Sequence, residues 1–303
     1  MAKTREIKKR IRSIESTRKI TRTMELVATS KMKRAQDRVL ASRPYSSKLR
    51  EVLASLAASV GGAEMSHPLL REPDRVRRVD VLLACSNRGL CGAYNTNVIG
   101  EAYRLYRDLV EKGRTVRLHV SGKKGQSFFR FREIPLESTF TEPSDRPGFH
   151  HAQSLGERFM REFTGEGTPG GEPTTDRVVL VYTRFVSAGV MRPVAEDLLP
   201  MRAEEMTGGG GGDRAARGQV IFEPDGKEIL EFLLPLYVKM RVYEALLNAQ
   251  ASEHSARMIA MKMATDNAGE LITSLTRAYN KQRQAQITQE LAEIMGGVEA
   301  LKG

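Results

Sequence analysis

At 303 residues, 40% hydrophobic, 6% aromatic and without tryptophan, the chain is too poor in large apolar side chains for one big core, which points to long helices plus a modest domain. Its two cysteines, Cys85 and Cys91, exclude a disulfide framework and fit a reducing compartment, and no apolar run approaches the length of a membrane span. The formal net charge of +11 is carried entirely by Met1–Ala58, where sixteen Lys/Arg face five Asp/Glu, so one basic segment is joined to a neutral remainder.

That first segment reads as a helix. Ile7, Ile11, Ile14, Ala28, Met32, Ala35 and Val39 keep a heptad-like spacing, with Ile20, Met24 and Val27 on a neighbouring stripe. The start is charged and helical at once, unlike a signal peptide. Pro44 is expected to kink or break the helix, because proline lacks a backbone donor and clashes with the preceding turn. Helical spacing resumes over Leu49, Val52, Leu53 and Leu56, and Gly61-Gly62 closes it. A basic face of this kind suits nucleic acid, anionic lipid, an acidic protein or plain solvent.

Next comes a buried-strand pattern, Val79–Cys85, and a turn at Ser86-Asn87-Arg88-Gly89. A helix over roughly 94–112 and a strand over 116–120 complete a βαβ unit, whose short connections favour a parallel pair. A helix near Gln153–Phe163, a strand over 177–182 and a hairpin strand over 190–198 extend the domain. Two glycine-rich segments, Gly165–Gly171 and Gly208–Gly212, have loop composition.

From Leu236 to Met295 there is no proline and one glycine, Gly269. Leu236, Met240, Tyr243, Leu247, Met261, Ala264, Ala268, Leu271, Leu275 and Ala278 recur at steps of three and four. At 1.5 Å per residue this helix spans roughly 90 Å, which no compact domain can bury. It needs a partner alongside, and the first helix is the candidate. A globular bundle with two overlong members is the alternative, but bundles need several helices of similar length, which the middle of the chain does not supply.

Motifs for chemistry fail on inspection. Gly89-Leu90-Cys91-Gly92 does not complete G-x-G-x-x-G, and Gly122-Lys123-Lys124-Gly125 has arginine at 117 where a P-loop needs its first glycine. The five histidines are scattered and the cysteines lack further ligands, so neither a metal site nor a catalytic constellation is expected, and no cofactor. The α/β domain reads as a docking platform.

Four blocks of residues, in order, resemble the γ subunit of F-type ATP synthase over nearly the whole chain. They are Ile11–Ile14 with Thr17–Ala28, Ser30–Met32 and Ala41–Tyr45; Ser86–Gly92; Ser255–Met258 with Met261–Lys262 and Ala264–Ala268; and Tyr279–Lys281 with Arg283–Ala285 and Ile287–Glu290. The resemblance implies an α/β fold with long helices: an antiparallel, left-handed coiled coil of the N- and C-terminal helices plus a central Rossmann-like α/β domain. The domains expected are 1–60, 75–222 and 226–301. It implies a central rotor shaft inside a ring of three α and three β subunits, touching the ε subunit and the c-ring, at the cytoplasmic face of a bacterial inner membrane without insertion into it. The subunit is non-catalytic by itself and carries no cofactor. Matching positions imply rotor–stator contact at Lys19, Arg22, Met24, Arg257, Gln284 and Thr288, and docking to ε or the c-ring at Asn87, Arg88 and Gly89. No inserted cysteine pair of the redox-controlled kind is present, so no thiol switch is expected.

Two other readings compete. A nucleic-acid-binding coiled coil would want stacking aromatics beside the charge, and Met1–Ala58 holds only Tyr45, so no nucleic-acid partner is expected. An α/β enzyme with a helical arm lacks its catalytic residues.

Overall fold

The structure, a computed structural model, describes residues 2–59, 67–141, 146–167, 171–201 and 226–302. The glycine run Gly208–Gly212, the Gly61-Gly62 stop and part of Gly165–Gly171 lie outside the described residues. In order, the elements are α1 (Ala2–Ser59), a short 3-10 turn (Pro68–Leu70), β1 (Arg78–Ala84), α2 (Tyr94–Glu111), β2 (Thr115–Ser121), α3 (Lys123–Phe131), β3 (Ser138–Phe140), α4 (Phe149–Thr164), β4 (Arg177–Ser187), β5 (Val190–Leu199) and α5 (Gly226–Lys302). Contacts gather the chain into two units, Met1–Thr29 with Arg257–Gly303, and Ser30–Ala256.

In the larger unit one sheet runs in the order β3-β2-β1-β4-β5. β1 pairs parallel with β2 and β4, β2 pairs parallel with β3, and β4 and β5 form an antiparallel hairpin. The order reverses direction between β1 and β4, the switch point where open α/β sheets present a crevice at the carboxyl ends of their strands.

Strand alternation divides the core in two. Val79, Val81, Leu83, Leu118, Val120, Val179 and Val181 face α2 and Phe129 of α3. Leu82, Ala84, Leu180 and Tyr182 face Phe159 and Phe163 of α4, Leu53 and Leu56 of α1, and the Leu230–Ala249 stretch of α5. A third cluster joins Ala35 and Val39 of α1 to Leu247 and Ala251 of α5, with Phe185 of β4. Residue numbers rise on one helix as they fall on the other, so the pair is antiparallel.

Pro44 does not break α1, which is continuous from Ala2 to Ser59. Its ring is exposed, so the lost backbone donor leaves a carbonyl near water instead of in the core. Leu49, Leu53 and Leu56 just beyond it are 7%, 0% and 0% exposed, and burial of about 1.5–3 kcal/mol per large side chain offsets a helical proline costing about 3 kcal/mol.

In the smaller unit the helices also run antiparallel. Thr4 donates from Oγ1 to Gln286 Oε1 at 2.9 Å, and Thr265 Oγ1 lies 2.9 Å from Thr21 Oγ1 across the pair and 2.8 Å from the Met261 carbonyl on its own helix. The covered positions follow heptad spacing: Thr4, Ile7, Ile11, Ile14, Thr21, Glu25 and Ala28 on α1, and Met261, Thr265, Ala268, Ile272, Leu275 and Tyr279 on α5. This shifts two sequence assignments by one residue. Leu271 is 49% exposed and Ala278 is exposed, while Ile272 and Tyr279 are half-buried in their place. Ile20 and Val27 also stay outside, at 61% and 51% exposed.

Candidate functional site

On the α1–α5 pair, Lys19 is exposed and Met24 half-buried. Arg22 is exposed and turns back on its own helix, with Nη1 reaching Glu25 at 2.9 and 3.0 Å. The guanidinium of Arg18 lies across Gly269, where an added Cβ would sit 3.7 Å from Cζ and Nε. Arg257 is half-buried and engaged by neighbours, whereas Gln284 and Thr288 are exposed, with Thr288 Oγ1 donating to the Gln284 carbonyl at 3.0 Å. Past Tyr279 the helix shows apolar groups outward: Leu291, Ile294 and Met295 are 56%, 63% and 72% exposed. The surface is therefore long, with isolated polar heads and soft apolar tips, and it gathers no reactive pair.

The second group lies at the carboxyl end of β1. Ser86, 1% exposed, donates from Oγ to the Arg88 carbonyl at 2.6 Å, and its N–H donates to Asn95 Oδ1 at 3.1 Å. Asn87 donates from Nδ2 to the Thr141 carbonyl at 2.8 Å and accepts from the Lys123 N–H at 3.0 Å. It therefore pins the turn to α3 and to the end of β3. Arg88 and Leu90 are the outward members; Leu90 is 61% exposed with φ +62°, a left-handed conformation that disfavours its side chain. The neighbouring turn is just as constrained. Gly122 has φ +112°, and a Cβ there would come within 2.3 Å of the Cys85 carbonyl oxygen. Burial pushes the Cys85 thiol up to about 12 even though the Gly125 N–H donates to Sγ at 3.2 Å, so the thiol stays protonated and unreactive near neutral pH.

Behind the sheet lies a cluster that the sequence reading missed. Arg117 of β2 grips Asp80 of β1 with Nε and Nη2, both at 2.6 Å, and shares Nη2 with Glu162 of α4 at 2.8 Å. Arg158 completes the group through Nε to Glu162 at 2.8 Å. His119 donates or accepts at Ser138 Oγ, 2.7 Å away, and packs edge-on to Phe159. Burial would raise the Asp80 carboxyl, but the His119 imidazole 3.7 Å away and the two hydrogen bonds and charge of the Arg117 guanidinium outweigh it and hold it below the usual carboxylate range. Asp80, His119 and Glu162 approach within 4.8 Å as metal ligands would, yet the guanidinium already supplies the positive charge between the carboxylates. The one legible signal was the aspartate inside Val79-Asp80-Val81-Leu82-Leu83, a charge in an apolar strand.

Two long terminal helices, one before and one after a five-stranded α/β domain in the chain, define an α/β protein with an antiparallel helix pair. The ATP synthase family profile matches residues 3–301. ATP synthase gamma chains of Gemmatimonas aurantiaca and Leptospira biflexa are 46% and 44% identical, covering 100% and 99% of this chain and all of theirs. A chain from the central stalk and c-ring of Tetrahymena thermophila mitochondrial ATP synthase is similar at 25% identity and a TM-score of 0.56, covering 81% of this chain and 99% of that one. The chain belongs to the ATP synthase gamma-chain family, a family of non-catalytic central-stalk subunits. Among the described residues, no helix is long and apolar enough to cross a membrane.

Proposed function

We propose that the chain is the central rotor shaft of an F-type ATP synthase, coupling ion-driven rotation of a c-ring to conformational change at the β subunits that make or hydrolyse ATP. The observation that carries this reading is family membership along the whole chain, with the antiparallel helix pair supporting it. Its partners on this reading are the α and β subunits, the ε subunit and the c-ring, at the cytoplasmic face of a bacterial inner membrane. Residues 1–60 and 226–301 form the shaft, and 75–222 the docking domain. Lys19, Arg22, Met24, Arg257, Gln284 and Thr288 face the ring on this reading. Arg88, with Asn87 and Gly89 shaping its turn, faces ε or the c-ring.

Exposed cations and an unbranched methionine suit a surface that must slide past three similar partners. Surface ion pairs contribute only about 0–1 kcal/mol each, so contacts can be made and released without a deep trap, and methionine repacks easily. The test is reconstitution. The untagged chain should co-purify with α and β subunits and raise their steady-state ATP hydrolysis; a chain that stays alone and hydrolyses ATP by itself overturns the reading.

A further inference from the structure

We propose that the outer face of α2 and α3, centred on Phe131 and Arg132, docks an acidic segment of a partner subunit, taking its carboxylate on Arg132 and its apolar side chain against Phe131. Such a partner belongs to the assembled synthase, so the contact rests on the shaft reading. Both helices lie within the larger unit. Phe131 ends α3 and is 89% exposed, more than any other large apolar side chain among the described residues. Phe129 two positions earlier is fully buried and Phe128 half-buried, so the core takes the first two rings of the run and leaves the third in water.

Arg132 is held ready for an anion. Its Cζ stands 4.5 Å from the centre of the Tyr103 ring and 4.9 Å from that of Phe128, two rings that meet edge to face at 78°. Nη1 donates to the Tyr103 hydroxyl at 3.2 Å. Stacking and that bond fix the guanidinium plane at the surface, while Nε and Nη2 donate to nothing among the described residues. That edge is the one by which Arg117 grips Asp80, with both donors at 2.6 Å, and its two parallel N–H groups match a carboxylate.

The charge around it is one-sided. Residues 123–132 carry Lys123, Lys124, Arg130 and Arg132 and no acid. On α2, by contrast, Arg104, Arg107 and Lys112 are matched by Glu101, Glu111 and Asp108 one turn away. Glu133 and Glu137 share a hollow with Arg130, yet among the described residues no acid forms an ion pair with Arg130 or Arg132. Tyr103, Tyr106 and Val110 follow one side of α2 at steps of three and four, the last 45% exposed, so apolar surface continues past the guanidinium. Arginine beside aromatic rings is the composition that interface centres favour. A lipid surface fits less well, because a nine-residue helix with one protruding ring offers no long apolar face.

Solvent labelling in the reconstituted complex tests this. Ser127→Cys puts a thiol on the exposed side of α3 one turn before Phe131, with the unsubstituted chain giving the background from Cys85 and Cys91. Maleimide labelling of the introduced thiol should slow severalfold once the full chain is assembled with α, β, ε and the c-ring. Adding Arg132→Gln should speed labelling in the complex by about tenfold or more, whereas Arg107→Gln, whose guanidinium already has Glu111, should change it by no more than about twofold. Phe131→Ser, at an exposed position, should also restore labelling, and it keeps the test valid if loss of the stacked guanidinium disturbs α3. In an Arg132→Lys chain, a zero-length carbodiimide should join the amine to an Asp or Glu of one partner subunit. A cross-link confined to Glu133 or Glu137 of the same chain overturns the contact. Equal protection of the free chain by anionic phospholipid vesicles overturns it in favour of a membrane surface. Assembly with the thiol still open overturns this contact alone, whereas failure to assemble with α and β overturns the shaft reading as well.

Discussion

Asp80 shows what one residue can hold. Its carboxyl is fully buried and held in place by Arg117, and its folded pKa lies below the unfolded value. A depressed carboxylate contributes in full above its unfolded pKa, about 4, and that contribution is lost as pH falls through the folded value. Removing one partner of a buried ion pair costs about 3–5 kcal/mol, and because Arg117 keeps Glu162 the lower end applies to Asp80→Asn. Urea unfolding at pH 7 should show that loss, and the gap between variant and wild type should narrow below about pH 4. A gap independent of pH would mean that Asp80 serves through packing alone. Leu90 poses the opposite case, a bulky residue with φ +62° at an exposed turn. Leu90→Gly relieves about 1–2 kcal/mol of left-handed strain and costs about 0.5–1 kcal/mol of chain entropy, so stability should rise by no more than about 1.5 kcal/mol. If the turn docks ε or the c-ring, loss of the apolar tip weakens that complex while the melting temperature does not fall. Unchanged co-elution with ε and the c-ring would remove Leu90 from the contact.

Elements with clear periodicity were legible from sequence: β1, α2, β2, α4, the β4–β5 hairpin and α5 fall where the pattern put them, and so does α1 except that it runs on through Pro44. What escaped has physical reasons. α3 opens on Gly122-Lys123-Lys124-Gly125, a loop composition, yet Gly122 supplies a conformation that only glycine adopts easily and Phe129 buries fully against the sheet. β3 is three residues long, too short for alternation to register. The helix-pair seam was misplaced by a residue because apolar identity was followed, whereas the covered positions include Thr21 and Thr265, which meet across the pair. Arg117 and Glu162 are 45 residues apart, and no local pattern links them. Of the site, Arg88 was found as an outward residue and Asn87 proved to be its brace, while the Asp80 cluster was not foreseen. Gly269 is a weak point of α5 inside the helix pair, with ordinary van der Waals space for a Cβ beside Arg18. Gly269→Ala should therefore stabilise the helix pair by up to about 1 kcal/mol, seen as a raised melting temperature; a lower one would mean that Arg18 cannot yield.

At the scale of the whole molecule, the concentration of the +11 net charge on one terminal helix has to be reconciled with a subunit that turns. A shaft gripped by a few strong pairs would stall at each of them, whereas many weak, solvated contacts share the load. Exposed ion pairs contribute about 0–1 kcal/mol each and are screened over about 10 Å at 0.1 M salt. Single substitutions Lys19→Ala and Lys33→Ala should therefore weaken assembly with the α and β subunits by no more than about fivefold each. Arg22→Ala should weaken it least, because that guanidinium is already occupied by Glu25 on its own helix. The triple variant should lose affinity by roughly the product of the three, as independent sites do, and should show a flatter dependence on salt than the wild type. Sedimentation of reconstituted complexes across a salt series measures both quantities. If Arg22→Ala alone abolished assembly, torque would have to pass through a single strong contact, and the distributed-contact account of this shaft would fail.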